Sequence, residues 1–308
     1  MIAALTGGTG GAKLVEGLAA EIGPAELTII CNTGDDAVFH GLYVSPDIDT
    51  IIYTLAGLSD PVKGWGIAGD TFTVLEQLRR LGNDAWFNLG DRDLATHITR
   101  TRLMNEGVKL SEITDRIRRL LGVQSTILPM SDGRIETRVT TAQGDISFQE
   151  YFVKERWSRE VTTVHFAGAE SSQPAPGVIA AILNAEAIIV CPSNPITSIG
   201  PILAIPGIRS ALAKSAAPIV GVSPIAGASA ISGPAHKLMS ASGFKASVLG
   251  VAECYRDFLD TLLIAEEDRQ LVPGIQQFKI RPATADIRMP DLAHKRRLAR
   301  QVLALARK

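Results

Sequence analysis

The chain has 308 residues, 46% apolar and 20% charged, a balance that excludes global disorder and leaves room for a large α/β domain or two domains. Its 31 Lys+Arg and 32 Asp+Glu leave a formal net charge of −1, so there is no basic field to draw nucleic acid non-specifically. Cys31, Cys191 and Cys254 show no CxxC spacing, which argues against a zinc site or a disulfide framework and fits a reducing compartment. The opening MIAALTGG has no positive segment ahead of its short apolar run, and no stretch reaches the roughly 18 apolar residues of a membrane span. A cytoplasmic protein without a membrane segment is expected.

Ile2–Leu5 reads as a buried first strand running into Gly7-Gly8-Thr9-Gly10-Gly11-Ala12-Lys13, after which Leu14, Leu18 and Ile22 share one helical face. Strand, glycine loop and helix aim backbone N–H groups at an anion, with the glycines letting the backbone approach a phosphate. The motif lacks the Gly-Lys-Ser/Thr ending of a Walker loop, and Lys13 stands where the third glycine of GxGxxG belongs. Asn32, not an acid, closes the second strand LTIICN. These departures disfavour NAD binding and a Rossmann oxidoreductase, while Gly7, Gly8, Thr9, Gly10, Gly11 and Lys13 remain candidates for holding phosphate; a tight turn without ligand is the alternative.

NTGDDAVFHGLYVSPDIDT follows that strand and holds Asp35, Asp36, Asp47 and Asp49 in two pairs. Carboxylates crowded at the carboxyl end of a parallel strand repel one another unless a cation lies between them; turn and cap roles are the competing reading. Thr50–Leu58 reads as a short helix. Trp65, between two glycines, is a candidate wall for a planar ligand, and Asp70 reads as the cap of a helix over 71–81. WFNL reads as a strand end, and Gly90-Asp91-Arg92-Asp93 as the start of a helix through Asn105 with His97 and Arg100 near the face of Asp93. Arg92 between Asp91 and Asp93 suits a salt-bridged cap or a phosphate clamp.

Another helix is expected over Ser111–Leu121. The character then changes: a strand at Thr126–Leu128, a turn, and period-two alternation through IETRVTTAQGDISFQEYFVKERW around Gln143-Gly144-Asp145, a hairpin signal. This predicts a small α+β insertion over residues 122–166, flanked by a core of 1–121 and 167–308. VIAAIL and AIIVC restore the helix–strand rhythm; Ser193, Asn194 and Thr197 then open a helix and are candidates for nucleotide or phosphate contact. PIVGV reads as a strand, SGPAHKLM as a helix start, ASVLG as a strand, the Tyr255 region as a short helix, DTLLIAEED and QQFKIRP as parts of the body, and Leu292–Ala306 as an amphipathic helix.

GGTGGAKL, CNTGDD, SPDIDTIIYTLAG, LGDRDLATH, LPMSDG, PSNPITSIGPILAIPGIR and VSPIAG…SGPAHKLM, in this order from residue 5 to about residue 256, resemble the 2-phospho-L-lactate transferase family of coenzyme F420 biosynthesis. The resemblance implies a Rossmann-like α/β core, mostly parallel with helices on both faces, a Mg²⁺-dependent enzyme and a homodimer. It implies that the ribityl hydroxyl of the deazaflavin Fo attacks a guanosine diphosphate-linked three-carbon acid, releasing GMP. Asp49 is then the leading catalytic carboxylate with Asp47 beside it, the two Asp pairs are candidate Mg²⁺ ligands, and Arg92, with Asp91, Asp93 and His97 near it, belongs to the Fo or phosphate site. The glycine loop continues Gly-Ala, not Thr-Pro, which leans toward a phosphoenolpyruvyl donor over a phospholactyl or phosphoglyceryl one. A non-catalytic nucleotide or nucleotide-sugar binding regulator sharing the GGTGG start is the alternative.

Overall fold

Runs of apolar, largely uncharged residues become strands here because both of their faces are covered. They are Ile2–Thr6 (β1), Leu27–Cys31 (β2), Thr126–Pro129 (β3), Ala187–Val190 (β4), Ile219–Val222 (β5), Thr261–Ala265 (β6) and Arg281–Ala285 (β7). They form one sheet in the order 3-2-1-4-5-6-7, and every pairing is parallel. The computed structural model describes residues 1–227, 229–230 and 234–307; Ser232 and Gly233 of the segment SGPAHKLM lie outside them.

Side chains alternate across this sheet. Ala3, Leu5, Ile188 and Val190 enter one apolar layer, and Ala4, Ile29, Ile189 and Val220 the other. The second layer is closed by Gly8–Ile22 (α1), Pro46–Leu55 (α2) and Leu110–Leu120, with the C-terminal helix Leu292–Leu305. The first is closed by helices between Val178 and Tyr255. Helices therefore cover both faces of a Rossmann-like sheet. Gly17 lets α1 and the C-terminal helix touch, since a Cβ there would collide with the Lys295 carbonyl. The strand order reverses between β1 and β4, the switch point outside whose carboxyl ends open α/β sheets bind ligands.

A three-stranded antiparallel sheet follows β3, with Glu136–Thr141 between Gly144–Ser147 and Val161–Ala167. This insertion is bonded to the acidic loop after β2: the Thr137 amide donates to the Gly34 carbonyl at 2.6 Å, and Gln149 Nε2 donates to the Asp35 carbonyl at 3.2 Å.

Several elements differ from expectation. Thr126–Leu128, expected in the insertion, pairs in register with Thr28–Ile30 and is the edge of the main sheet. The alternating run ends at Ser147, and Glu150–Lys154 coils so that Tyr151 is buried. Trp86–Leu89 is loop. ASVLG is no strand: Val248–Tyr255 is a helix whose Val248, Val251, Ala252 and Tyr255, spaced three and four apart, are buried. Helix α2 begins at Pro46 instead of Thr50, with proline in the first turn where its missing N–H is harmless. Among the described residues no helix is long and apolar enough to cross a membrane.

Candidate functional site

A cavity of about 390 Å³ opens at the switch point, walled by residues following β1, β2, β4 and β5 and by the N-terminal turns of α1 and α2. Asp35, Asp47, Asp49, Asp93 and His97 all line it. Starting α2 at Pro46 puts Asp47 and Asp49 in its first turn, where N–H groups without helical partners favour negative charge. The helix Asp93–Asn105 buries Asp93, His97 and Arg100 at intervals of four and three, one face turned to the cavity.

Asp49 meets that face. Arg100, fully buried, grips both carboxylate oxygens, with Nη1 3.0 Å from Oδ2 and Nη2 on Oδ1. Arg100 Nη1 lies 3.4 Å from His97 Nδ1. On the other side of the ring, His97 Nε2 lies 3.2 Å from Asp93 Oδ2. Tyr53 completes the chain, its hydroxyl donating to Asp93 Oδ1 at 2.6 Å. Burial opposes ionisation of Asp93, yet His97, Tyr53 and Arg100 together hold its carboxyl below the usual range.

Among the described residues no cation bonds Asp35, Asp36 or Asp47 as Arg100 bonds Asp49, although Arg100 also acts on Asp36 through space. Burial pushes Asp35 well up, with Asp47 adding to the shift, and pushes Asp36 well up although Ser45 Oγ donates to it at 2.8 Å. Burial raises Asp47 to about 6 against the opposing bonds from Asn32 and the Gly8 amide; Asn32 Nδ2 donates to Asp47 Oδ2 at 2.9 Å. Asp35 Oδ1 and Asp36 Oδ1 are buried with no hydrogen-bond partner among the described residues. Orphaned carboxylate oxygens repelling one another fit a hard divalent cation such as Mg²⁺. Asp49 is committed to Arg100, and no three His, Cys, Asp or Glu side chains converge on one point among the described residues. The fit is therefore to a cation held by one or two carboxylates, Asp47 and Asp35 foremost, and completed by water and phosphate oxygens.

The glycine segment is not the extended loop expected: α1 starts at Gly8, with no side-chain cap and no acid in its first turn. Most of its glycines serve protein neighbours. A Cβ on Gly7 would lie 2.5 Å from Asp47 Oδ2, one on Gly10 would lie 2.6 Å from the Pro192 carbonyl, and one on Gly11 would overlap Thr6 and Ser193. Gly8, at φ +66°, is the exception in that a Cβ there would meet Ser198 Oγ at an unstrained 4.0 Å. Gly7, Gly8, Thr9 and Gly10 line the cavity, whereas Gly11 lies beneath it and Lys13 points out to solvent. Ser193 Oγ bonds both polar groups of Gly7, accepting from N at 3.2 Å and donating to O at 2.7 Å. Asn194 Oδ1 accepts from the Ile196 amide at 2.9 Å and the Thr197 amide at 3.3 Å, so the chain caps this turn itself. The Ser193, Asn194 and Thr197 side of the cavity is pre-shaped by the chain itself.

Arg92 and Asp91 do not line the cavity. Arg92 is exposed and its Nη1 donates to the Ala68 carbonyl at 3.1 Å. Asp91 caps the helix Thr73–Arg80, accepting from the amides of Thr73 and Val74 at 3.0 Å, with its carboxyl lowered to about 2, first by the Thr71 hydroxyl. Asp70, expected to cap that helix, instead accepts from the amides of Arg92 at 2.8 Å and Asp93 at 3.0 Å. The two aspartates exchange caps across space. Asp91→Ala is therefore expected to fray residues 73–80 and leave the start of the 93–105 helix protected, with Asp70→Ala doing the reverse at a loss of about 1 kcal/mol. Amide exchange on both variants checks this; fraying beside the mutated residue itself would contradict it.

Trp65 lines the mouth at 39% exposure. Sequence reasoning missed the aromatic side of the cavity, where Phe87 from the loop meets Phe148 and Phe152 from the insertion. Phe87 is held by stacking on Phe39 at 4.1 Å, and Phe152 by Phe148 at 5.4 Å.

The sequence model described as 2-phospho-L-lactate transferase CofD matches residues 2–303. A phosphoenolpyruvate transferase of Kitasatospora aureofaciens is 41% identical, over 99% of this chain and 97% of the relative. A 2-phospho-L-lactate transferase of Methanothermobacter thermautotrophicus is 42% identical, over 98% of this chain and 97% of the relative. Among solved structures, a member of the UPF0052 family from Bacillus halodurans superposes with a TM-score of 0.68 over 98% of each chain at 16% identity, a likeness of fold alone.

Proposed function

Since the chain belongs to the 2-phospho-L-lactate transferase family, we propose that it moves a phospho-three-carbon-acid group from a guanosine diphosphate-linked donor to the ribityl hydroxyl of Fo. The observation that carries this reading is the meeting of two helix N-termini at one cavity. The first turn of α1, not closed by a side chain of its own N-cap residue, offers amides to a phosphate, and α2 beside it brings Asp47, which also takes the Gly8 amide, and Asp49. Phosphoryl transfer asks a protein for positioning and charge neutralisation more than for a covalent nucleophile.

In this reading the donor phosphates rest on the Gly7–Gly10 turn, and the Ser193–Thr197 side receives the nucleotide. The deazaflavin ring enters among Phe87, Phe148, Phe152 and Trp65. Asp49, fixed by Arg100, accepts a hydrogen bond from the Fo hydroxyl and aims its oxygen at the phosphorus nearest the acid. The new P–O bond forms as the bond to the departing GMP phosphate breaks, and the hydroxyl proton passes to the carboxylate. Asp47 and Asp35 would hold Mg²⁺, which would supply charge neutralisation at the phosphate oxygens. Arg92 reaches the Fo site only by leaving the Ala68 carbonyl. The protein acts in the cytoplasm, as a homodimer.

Relatives of both donor types stand at near-equal identity, so the donor is decided by assay. Purified protein, Fo and Mg²⁺ are offered the lactyl, enolpyruvyl and glyceryl donors separately, with products read by mass. The enolpyruvyl donor is expected to give a phosphodiester and GMP. Nucleotide binding with neither Fo binding nor turnover of any donor would replace the transferase reading with that of a regulator.

A further inference from the structure

The cavity is acidic, yet the donor proposed for it is a polyanion. Four aspartates line it, and among its described lining residues Lys63 is the one lysine or arginine. Lys63 is carried there by a built loop. Ser59 and Ile67 bridge its base. Asp60 Oδ1 accepts from the amides of Val62 at 2.9 Å and Lys63 at 3.0 Å, and the Gly64 amide donates to the Asp60 carbonyl at 2.8 Å. Gly64 and Gly66 take φ of +74° and +70°, and a Cβ on Gly64 would lie 3.6 Å from Thr9. The loop thus rests against the first turn of α1, on the phosphate side of the cavity.

Lys63 Nζ sits 5.6 Å from the Trp65 ring centroid and 5.3 Å from that of Phe72, with Asp60 Oδ2 at 3.7 Å. Its side chain is 43% exposed, and an ion pair so exposed contributes little and is readily exchanged for a ligand anion. Resting on the transferase reading above, we infer that Lys63 is a donor-binding residue, its ammonium taking the diphosphate of the guanosine donor while that group lies on the amides of α1. A single cation at the mouth also steers an anion past the carboxylates behind it.

Calorimetry with GDP and with guanosine on the wild type, Lys63→Ala and Lys63→Arg tests this without requiring turnover. Lys63→Ala is expected to weaken GDP about tenfold, the loss of one charge-assisted bond, and to leave guanosine unchanged; Lys63→Arg restores most of the GDP affinity. In turnover the donor KM rises in Lys63→Ala and the Fo KM does not. Unchanged GDP affinity, or an equal loss for guanosine, would overturn the inference. Lys63-dependent GDP binding in a protein that transfers no donor would uphold the anion site and sink only the transferase reading.

Discussion

Asp47→Asn is expected to stabilise the ligand-free protein at pH 8 while removing most of its activity. Burial lifts the Asp47 carboxyl from 3.8 to about 6. Near pH 3 the folded and unfolded chains both hold the proton. Between about 4 and 6 the unfolded chain releases it first, so this group's contribution to stability falls as pH rises and is lowest above 6. Asparagine removes that dependence and still accepts from Asn32 Nδ2. The ceiling for a shift of about two units is roughly 3 kcal/mol, and a gain of about 1–3 kcal/mol is expected at pH 8, with little at pH 4. Denaturant melts at both values decide it; the same change at both would show that the carboxylate's ionisation is not the cause. Turnover should drop about 10²–10³-fold, as when one transition-state contact is lost.

Arg100→Met is the second large effect, and here stability is lost. The substitution leaves Asp49 buried without the guanidinium that holds it, the case in which breaking a buried pair costs about 3–5 kcal/mol. Adding Asp49→Asn should recover much of the loss, since both charges are then gone. A double variant as unstable as Arg100→Met would mean that Arg100 acts through packing alone. The partnerless Arg100 Nε shows that even the native guanidinium is held by fewer bonds than it can make.

Elements carried by local pattern were legible in the chain: the first strand and its helix, the strands around Ile188 and Val220, and the C-terminal helix. Where two elements share a task, local reading failed. Asp70 stands just before one helix and caps another, because only the folded chain brings Gly90 against its carboxylate. The glycines after β1 promised room for a phosphate, yet three of the four touch protein atoms that no spacing rule locates. Asp47 and Asp49 could be singled out because their crowding is written in the sequence; the Arg100 partnership spans 51 positions, beyond any periodicity. One missed signal was present. His40-Gly41, both at positive φ, make the two-residue turn joining Ala37–Phe39 to Leu42–Val44, and an X-Gly pair between apolar residues marks such hairpins. That hairpin presents Phe39 to Phe87 and so shapes the aromatic wall.

The exchanged caps also bear on how the molecule opens. The helix Thr73–Arg80 buries Leu75 alone among its side chains and draws little strength from packing. Its start is tied to Asp91, which stands two residues ahead of the next helix, whose own start is tied back to Asp70. Losing one carboxylate releases only the helix it caps, but opening of the connecting segment withdraws both at once. In the unaltered chain residues 70–93 are therefore expected to open as one cooperative unit. Proteases and exchange chemistry would meet it as a single event, and a ligand touching Asp93 would slow the exchange of amides some twenty positions earlier in the chain.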